Sequence, residues 1–163
     1  MDALTDLLNN LPVRKAAKRS AAQPMPQHCK DRYQQAHEQW FKRKYPKGYA
    51  DGKYTPTVMP PCNKANGLSL AIEKFIIWEG WNAKGISSAG RYLNGKYIPG
   101  RTRRGAADLS ATIKGKACHF EIKIGKDKPS IYQLKEQIRE RNALGVYEFV
   151  KTFEQFLTIY DSL

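Results

Sequence analysis

The chain has 163 residues, 41% of them apolar, and a formal charge of +13; this fits one compact domain with a real core and an appendage. Three scattered cysteines (Cys29, Cys62, Cys118) without a CxxC indicate neither a disulfide framework nor a zinc ribbon, and fit a reducing, intracellular setting. No stretch approaches a membrane span, and the opening MDALTDLLNN is acidic and lacks the long apolar run of a signal peptide.

The charge is unevenly spread. Residues 1–66 hold 12 Lys/Arg against 5 Asp/Glu, residues 67–124 hold 10 against 4, and residues 125–163 hold 6 against 6. The first two segments therefore carry the positive field, which suits a polyanionic partner, most often nucleic acid. Solubility or a basic tail is the plainer alternative.

In chain order, Leu4, Leu7, Leu8 and Leu11 fall at i, i+3, i+4, i+7 between Asp2 and Pro12 and predict a short amphipathic helix. It is too short to be stable alone and is expected to dock on the body or on a partner. Residues 13–30 are basic, Ala-rich and Pro-broken, and read as a linker. Residues 31–44 predict a helix with Tyr33, Ala36, His37 and Trp40 on one stripe. Residues 45–66 read as a long Gly/Pro loop in which Lys44, Tyr45, Lys47, Tyr49, Lys53 and Tyr54 interleave. Such a pattern would stack and clamp single-stranded bases, or its tyrosines would pack the loop down.

LSLAIEKFIIWEGW, from Leu68, predicts a buried helix with Ser69 as its cap. RYL-NG-KYI, residues 91–98, is a hairpin signal with Asn-Gly at the turn. DLSATI and ACHFEIKI flank KGK as a second hairpin. SIYQLKEQIRERNAL predicts a helix closed by Gly145, VYEFV a strand, and TFEQFLTIYDSL a closing helix. The order gives an α/β fold: a mixed sheet flanked by helices, with residues 1–66 as a basic N-terminal extension and 67–163 as the domain.

The second hairpin gathers chemistry. Leu109, Ala111 and Ile113 alternate on one strand, and Cys118, Phe120, Ile122 and Ile124 on the next. Both sets reach one core only if paired positions sum to an odd number, as a two-residue turn gives: 229 or 231. Asp108, Glu121 and Lys123 then share the opposite face. Two carboxylates there suit Mg²⁺ or Mn²⁺, with a lysine to position water or stabilise negative charge. A cross-strand salt bridge of Lys123 with one acid is the structural alternative.

Glu73 in a helix, Gly105-Ala-Ala-Asp108, Glu121-Ile-Lys123, Ser130-x-x-Gln133 and Gly145, in that order, resemble the virus-type replication-repair (VRR-NUC) branch of the PD-(D/E)XK nucleases. The match spans roughly residues 67–160. The resemblance implies a restriction-endonuclease-like core of αβββαβα order and a metal-dependent endonuclease hydrolysing DNA in replication, recombination or repair. It implies Mg²⁺ or Mn²⁺ held by Asp108, Glu121 and the Ile122 carbonyl, with Lys123 orienting the attacking water and with Glu73, as a further metal ligand, and Gln133 completing the site. It also implies a possible homodimer. The proline of the family name is Ala107 here, a position without ligand chemistry.

Several residues carry a second reading. Ser130-x-x-Gln133 is also a capping box. Glu73 lies in an apolar helix, where an unpaired charge is costly; Glu79 is its rival and is expected in solvent. His119 would touch substrate or stand as a half-exposed structural histidine. His28, Cys29, His37 and Cys62 match no zinc spacing. Arg91, Lys96, Arg101, Arg103 and Arg104 precede Asp108 and are expected to form a DNA-phosphate rim, a solvated loop being the alternative. The competing functions are a non-catalytic DNA-binding module and an adaptor that recruits partners through the N-terminal helix.

Overall fold

The computed structural model describes residues 25–86, 91–98 and 103–163. The predicted N-terminal helix, most of the linker and Arg101 lie outside the described residues. The fold is α/β: a four-stranded mixed sheet, in the order Asn82–Gly85, Leu109–Ile113, Lys116–Ile122, Val146–Val150, flanked by helices. Its elements are α1 (Gln27–Lys44), α2 (Pro46–Ala50), α3 (Ala65–Trp78), β1 (Asn82–Gly85), β2 (Arg91–Leu93), β3 (Lys96–Ile98), β4 (Leu109–Ile113), β5 (Lys116–Ile122), α4 (Ile131–Asn142), β6 (Val146–Val150) and α5 (Phe153–Ser162). Among the described residues no helix is long and apolar enough to cross a membrane.

One face of the sheet meets α3 and α5. On α3, Leu68, Ala71, Ile72, Phe75 and Ile76 are buried at i, i+3, i+4, i+7, i+8; on α5, Phe153, Phe156, Leu157 and Tyr160 repeat the stripe. They close on Leu109, Ala111, Ile113, Cys118, Phe120, Ile122 and Val150. Phe75 meets Phe153 and Phe156 edge to face at 5.7 and 5.8 Å, and Phe120 meets Phe156 at 5.4 Å. Each such side chain contributes about 1.5–3 kcal/mol by burial.

The expected register holds. β4 and β5 pair antiparallel with Leu109 opposite Phe120, so partners sum to 229, and Lys114-Gly115 forms the two-residue turn. β6 joins β5 in parallel after α4.

Several boundaries differ from expectation. α1 starts at Gln27, within the stretch read as linker: Pro26 supplies a preset φ at the N-cap position, and Cys29 is buried in the core. With Tyr33 and Ala36, Cys29 carries α1 into the same core as α3. The 45–66 loop contains α2, begun by Pro46, and the first residues of α3. Ser69 is inside α3 rather than its cap. That helix starts one turn earlier, where Lys64 N–H donates to the Pro61 carbonyl (3.1 Å) and Gly67 crosses the Pro60-Pro61 strap. β1 carries no strand signal, with Ala83 its one buried residue, and is held by pairing with β4. The 91–98 hairpin forms as expected, but as a two-stranded sheet separate from the main one. After α4 the left-handed residue is Leu144 (φ 64°), not Gly145. Gly145 instead brings its N–H to the Glu140 carbonyl at 2.9 Å, where a Cβ would stand 3.2 Å from that oxygen.

α4 covers the other face of the sheet and is inverted. Its inward positions are polar: Gln133, Glu136, Gln137 and Glu140. Ile131, Leu134 and Ile138 point outward, Ile138 60% exposed.

Gly67 gives a test of the packing at the start of α3. Glycine to alanine inside a helix ordinarily stabilises by about 0.5–1 kcal/mol. Here a Cβ would stand 2.2 Å from the Pro61 carbonyl oxygen. Gly67→Ala is expected to reverse the sign and cost about 1–3 kcal/mol, measured as a lowered urea midpoint with an unchanged slope.

Candidate functional site

The alternation of β5 puts Glu121 and Lys123 on the α4 side, and both are buried. Asp108 lies one residue before β4, and its Oδ2 accepts from the Ile122 N–H at 2.9 Å. That bond holds the aspartate against the strand that carries Glu121. The Asp108 carbonyl accepts from Ile86 N–H at 2.8 Å, which fixes its backbone to the end of β1.

Glu121 Oε1 accepts from Lys123 Nζ at 3.1 Å and from Gln133 Nε2 at 2.5 Å. Glu121 Oε2 is buried and has no hydrogen-bond partner among the described residues. Burial, and then the charge of Asp108, pushes the Glu121 carboxyl above the ordinary glutamate range, against the pull of Lys123. For Lys123 burial acts downward, but its bonds to Glu121 and to Asp127 (3.3 Å) outweigh it and hold the ammonium above the usual lysine range. Both sequence readings of Lys123 are thus compatible with one geometry: the salt bridge is present, and it leaves one carboxylate oxygen over.

That orphaned oxygen is the test of fit for a cation. A buried acceptor without a donor is costly. Mg²⁺ keeps several waters and takes one or two carboxylates, so Asp108, Glu121 and the Ile122 carbonyl are a donor set of the right hardness and number. Among the described residues no three His, Cys, Asp or Glu side chains converge as a cage. Glu73, expected as a further ligand, thus forms no such cluster with Asp108 and Glu121. It is half-buried on α3, and its Oε1 accepts from Gly85 N–H at 3.2 Å, next to the Ile86 that holds Asp108. A cavity of about 310 Å³ opens at this corner, lined by Ala65, Asn66, Ser69, Gly85, Ile86 and Asp108. A larger one, about 450 Å³, lies against Pro60, Pro61 and Leu70 and shares Ala65 and Asn66 with the first.

Gln133 forms the expected cap and also reaches Glu121. Ser130 Oγ accepts from Gln133 N–H and Gln133 Oε1 from Ser130 N–H, a complete capping box, while Nε2 reaches Glu121. His119 pairs with Glu140 at 3.5 Å and leans on the Tyr147 ring, a structural setting. Glu79 is exposed, as expected, and accepts from the Tyr160 hydroxyl at 3.3 Å. Cys29 lies beside His28 at 3.3 Å, and no zinc-ligand cluster forms there among the described residues.

The basic residues separate. Lys96 is exposed on β3, and Arg104 lies over the Tyr132 ring at 5.6 Å. Arg91 begins β2. Arg103 is held at 3.1 Å by Glu136, a buried carboxylate that also takes Arg139 at 2.5 Å. Glu136 was not singled out in the sequence. With it, the Tyr147 hydroxyl donates to the Gly105 carbonyl at 2.9 Å, and Gly105 (φ +88°) passes so close to α4 that a Cβ would stand 2.5 Å from the Tyr132 carbonyl oxygen. Glu136, Tyr147 and Gly105 thereby clamp residues 103–107, the approach to Asp108. The polar stripe Gln133, Glu136, Gln137, Glu140 at helical spacing was the signal for it.

No protein-family model, curated protein or solved structure matches this chain.

Two outcomes follow for the site. MgCl₂ or MnCl₂ at about 100 times its Kd is expected to add roughly 2.7 kcal/mol, read as a higher Tm that EDTA reverses; Asp108→Asn and Glu121→Gln are expected to lose the shift, and an equal shift in both would remove them as ligands. Gly105→Ala is expected to cost about 1–2 kcal/mol for the left-handed backbone alone, measured by urea denaturation, and to weaken the same metal-dependent Tm shift by displacing Asp108.

Proposed function

We propose that this protein is a Mg²⁺- or Mn²⁺-dependent deoxyribonuclease of VRR-NUC type with a restriction-endonuclease-like core. In this reading it cuts phosphodiester bonds in structured DNA during replication, recombination or repair, in an intracellular setting. The observation that carries the reading is the orphaned, buried Glu121 Oε2 beside Asp108 and a lysine kept charged. A module that only bound DNA would gain nothing from two carboxylates facing phosphates, which repel them.

Asp108, Glu121 and the Ile122 carbonyl would hold the ion. The ion, when bound, polarises a phosphoryl oxygen and acidifies water. The chain does the rest. Gln133 fixes the Glu121 rotamer through Nε2, and its capping bonds fix Gln133 itself. Glu121 and Asp127 hold the Lys123 ammonium in its protonated form, aimed to orient the attacking water and stabilise negative charge as it develops on the phosphate. Glu73 braces the β1 corner behind Asp108. Arg91, Lys96, Arg101 and Arg104 contact phosphates, while Arg103 first holds the loop through Glu136. A homodimer, which the resemblance implies, would find its apolar contact on the outer face of α4.

The reading is tested with labelled flapped, branched, single-stranded and duplex DNA in Mg²⁺, Mn²⁺ or EDTA. Cleavage is expected with either ion, none in EDTA, and none from Asp108→Asn or Glu121→Gln, which should still bind DNA. Lys123→Met keeps most of the stem and removes the ammonium. It is expected to retain metal and DNA binding and to lose roughly 10²–10³ in single-turnover rate. A stable Lys123→Met protein that cuts at the wild-type rate would return Lys123 to a purely structural role.

A further inference from the structure

The rings between positions 37 and 54 divide into two groups. Tyr54 is folded down, 5.5 Å from both His37 and Phe41, and Tyr49 donates its hydroxyl to Glu38 at 2.6 Å. These tyrosines pack the loop. Trp40 and Tyr45 also pack, Tyr45 on Phe41 at 5.2 Å, but they lie beneath lysines and Tyr45 stays open to solvent. Trp40 is half-buried, stacked on His37 at 5.7 Å, and meets Tyr45 edge to face at 6.0 Å. Tyr45 is 45% exposed. Lys44 Nζ stands 4.8 Å from the Trp40 ring and 5.4 Å from the Tyr45 ring, and Lys42 Nζ stands 5.5 Å from the Tyr49 ring.

The charge at this corner is one-sided. Residues 41–54 hold Lys42, Arg43, Lys44, Lys47 and Lys53 against Asp51 alone. Asp51 is taken by Lys53 at 3.1 Å, and Glu38 by Tyr49. Among the described residues Lys42, Lys44 and Lys47 make no ion pair. α2, which carries Lys47, buries no residue.

We propose that Trp40, Tyr45, Lys42, Lys44 and Lys47 form a binding face for single-stranded DNA, separate from the carboxylate site. The proposal rests on the reading of DNA as the partner. The combination of rings and charges selects the strand type. In a duplex the bases cover one another and lysines meet only phosphates. In a single strand each base offers a free π-face, which stacks on an exposed ring while a neighbouring ammonium meets the phosphate. A solvated basic face needs no exposed rings, and a packing cluster needs no unpaired ammonium groups laid over them. Trp40 touches Trp78, the last residue of α3, at 6.3 Å, whereas the cavity before Asp108 is lined by Ala65 and Asn66, its first. The two sites thus stand at opposite ends of one helix, on the order of 20 Å apart. A single-stranded arm held here would leave the adjoining DNA free to reach the carboxylates.

The test is fluorescence anisotropy with labelled oligothymidine and with a blunt duplex of equal length, both in EDTA so that binding is read without cleavage. Tyr45→Ala is expected to weaken oligothymidine binding roughly tenfold, to leave duplex binding unchanged, and to be rescued by Tyr45→Phe. Lys44→Ala is expected to lower the slope of log affinity against log salt by about 0.7. Melting curves check that each variant is folded. Wild-type affinity for oligothymidine in Tyr45→Ala, or an equal loss for duplex and single strand, overturns the proposal. The two readings part cleanly. Tyr45-dependent binding by a wild type that cuts nothing in Mg²⁺ or Mn²⁺ supports this face and defeats the nuclease. Cleavage with Tyr45-indifferent binding does the reverse.

Discussion

A carboxylate placed on the covered side of a strand must find donors, and most of the second layer of this molecule follows from Glu121. Lys123 and Gln133 supply two donors to one of its oxygens. Gln133 has to face inward to do so, and the helical period then turns Glu136, Gln137 and Glu140 inward with it. Each needs a partner of its own. Gln137 donates to the Tyr147 carbonyl at 2.9 Å, Glu140 meets His119, and Glu136 takes Arg103 and Arg139. The apolar residues of α4 are left on the outside. One face of the sheet is therefore held by oil-like packing, and the other by hydrogen bonds and ion pairs whose partners must all be present together.

The position of Asp108 depends on a different constraint, the length of a turn. With Lys114-Gly115 as the whole connection, odd positions on β4 meet even positions on β5. A slip of one residue would send Leu109, Ala111 and Ile113 into the polar layer, so the core enforces the register. The same parity sets Asp108 across from Glu121. Its carboxylate bonds Ile122 N–H and its carbonyl bonds Ile86 N–H, so the acid is tied to strands on both sides. β1, a strand of four residues with little burial of its own, thus has its use in the corner it closes between Asp108 and Glu73.

What was legible in the sequence follows the same division. Period-2 alternation and a tight turn made β4, β5 and the shared face of Asp108, Glu121 and Lys123 readable, and the stripes of α3 and α5 declared themselves at helical spacing. Ser130-x-x-Gln133 announced its cap. The failures occurred where tertiary contact overrides local signal. Asn82–Gly85 has no strand propensity and exists because β4 offers it an edge. The Asn-Gly hairpin has the strongest local signal and stands outside the main sheet. Ser69 had the chemistry of a cap, but the Pro60-Pro61 strap starts α3 earlier. Glu136 was passed over because acids on a helix are ordinarily solvated, and its burial becomes visible only once α4 is seen to be inverted. Arg103 looked like its neighbours in a basic run, and its partner lies 33 residues away.

The two charged groups at the centre contribute to stability with opposite signs. Burial, then Asp108, disfavours the ionised form of Glu121, so the folded chain holds that proton more tightly than the unfolded chain. Stability from this group is lost as pH rises from the ordinary glutamate value through the raised one. Lys123 has a raised value too, because Glu121 and Asp127 outweigh its burial. Its contribution is complete below the ordinary lysine value and is lost only as pH rises through the folded one. At neutral pH the fold therefore keeps the favourable term of Lys123 and carries the unfavourable term of Glu121. A divalent ion between Asp108 and Glu121 would remove the second by cancelling the repulsion and meeting the unpartnered Oε2. The strain that the site imposes on the folded chain is thus of the same origin as the affinity it would have for the ion.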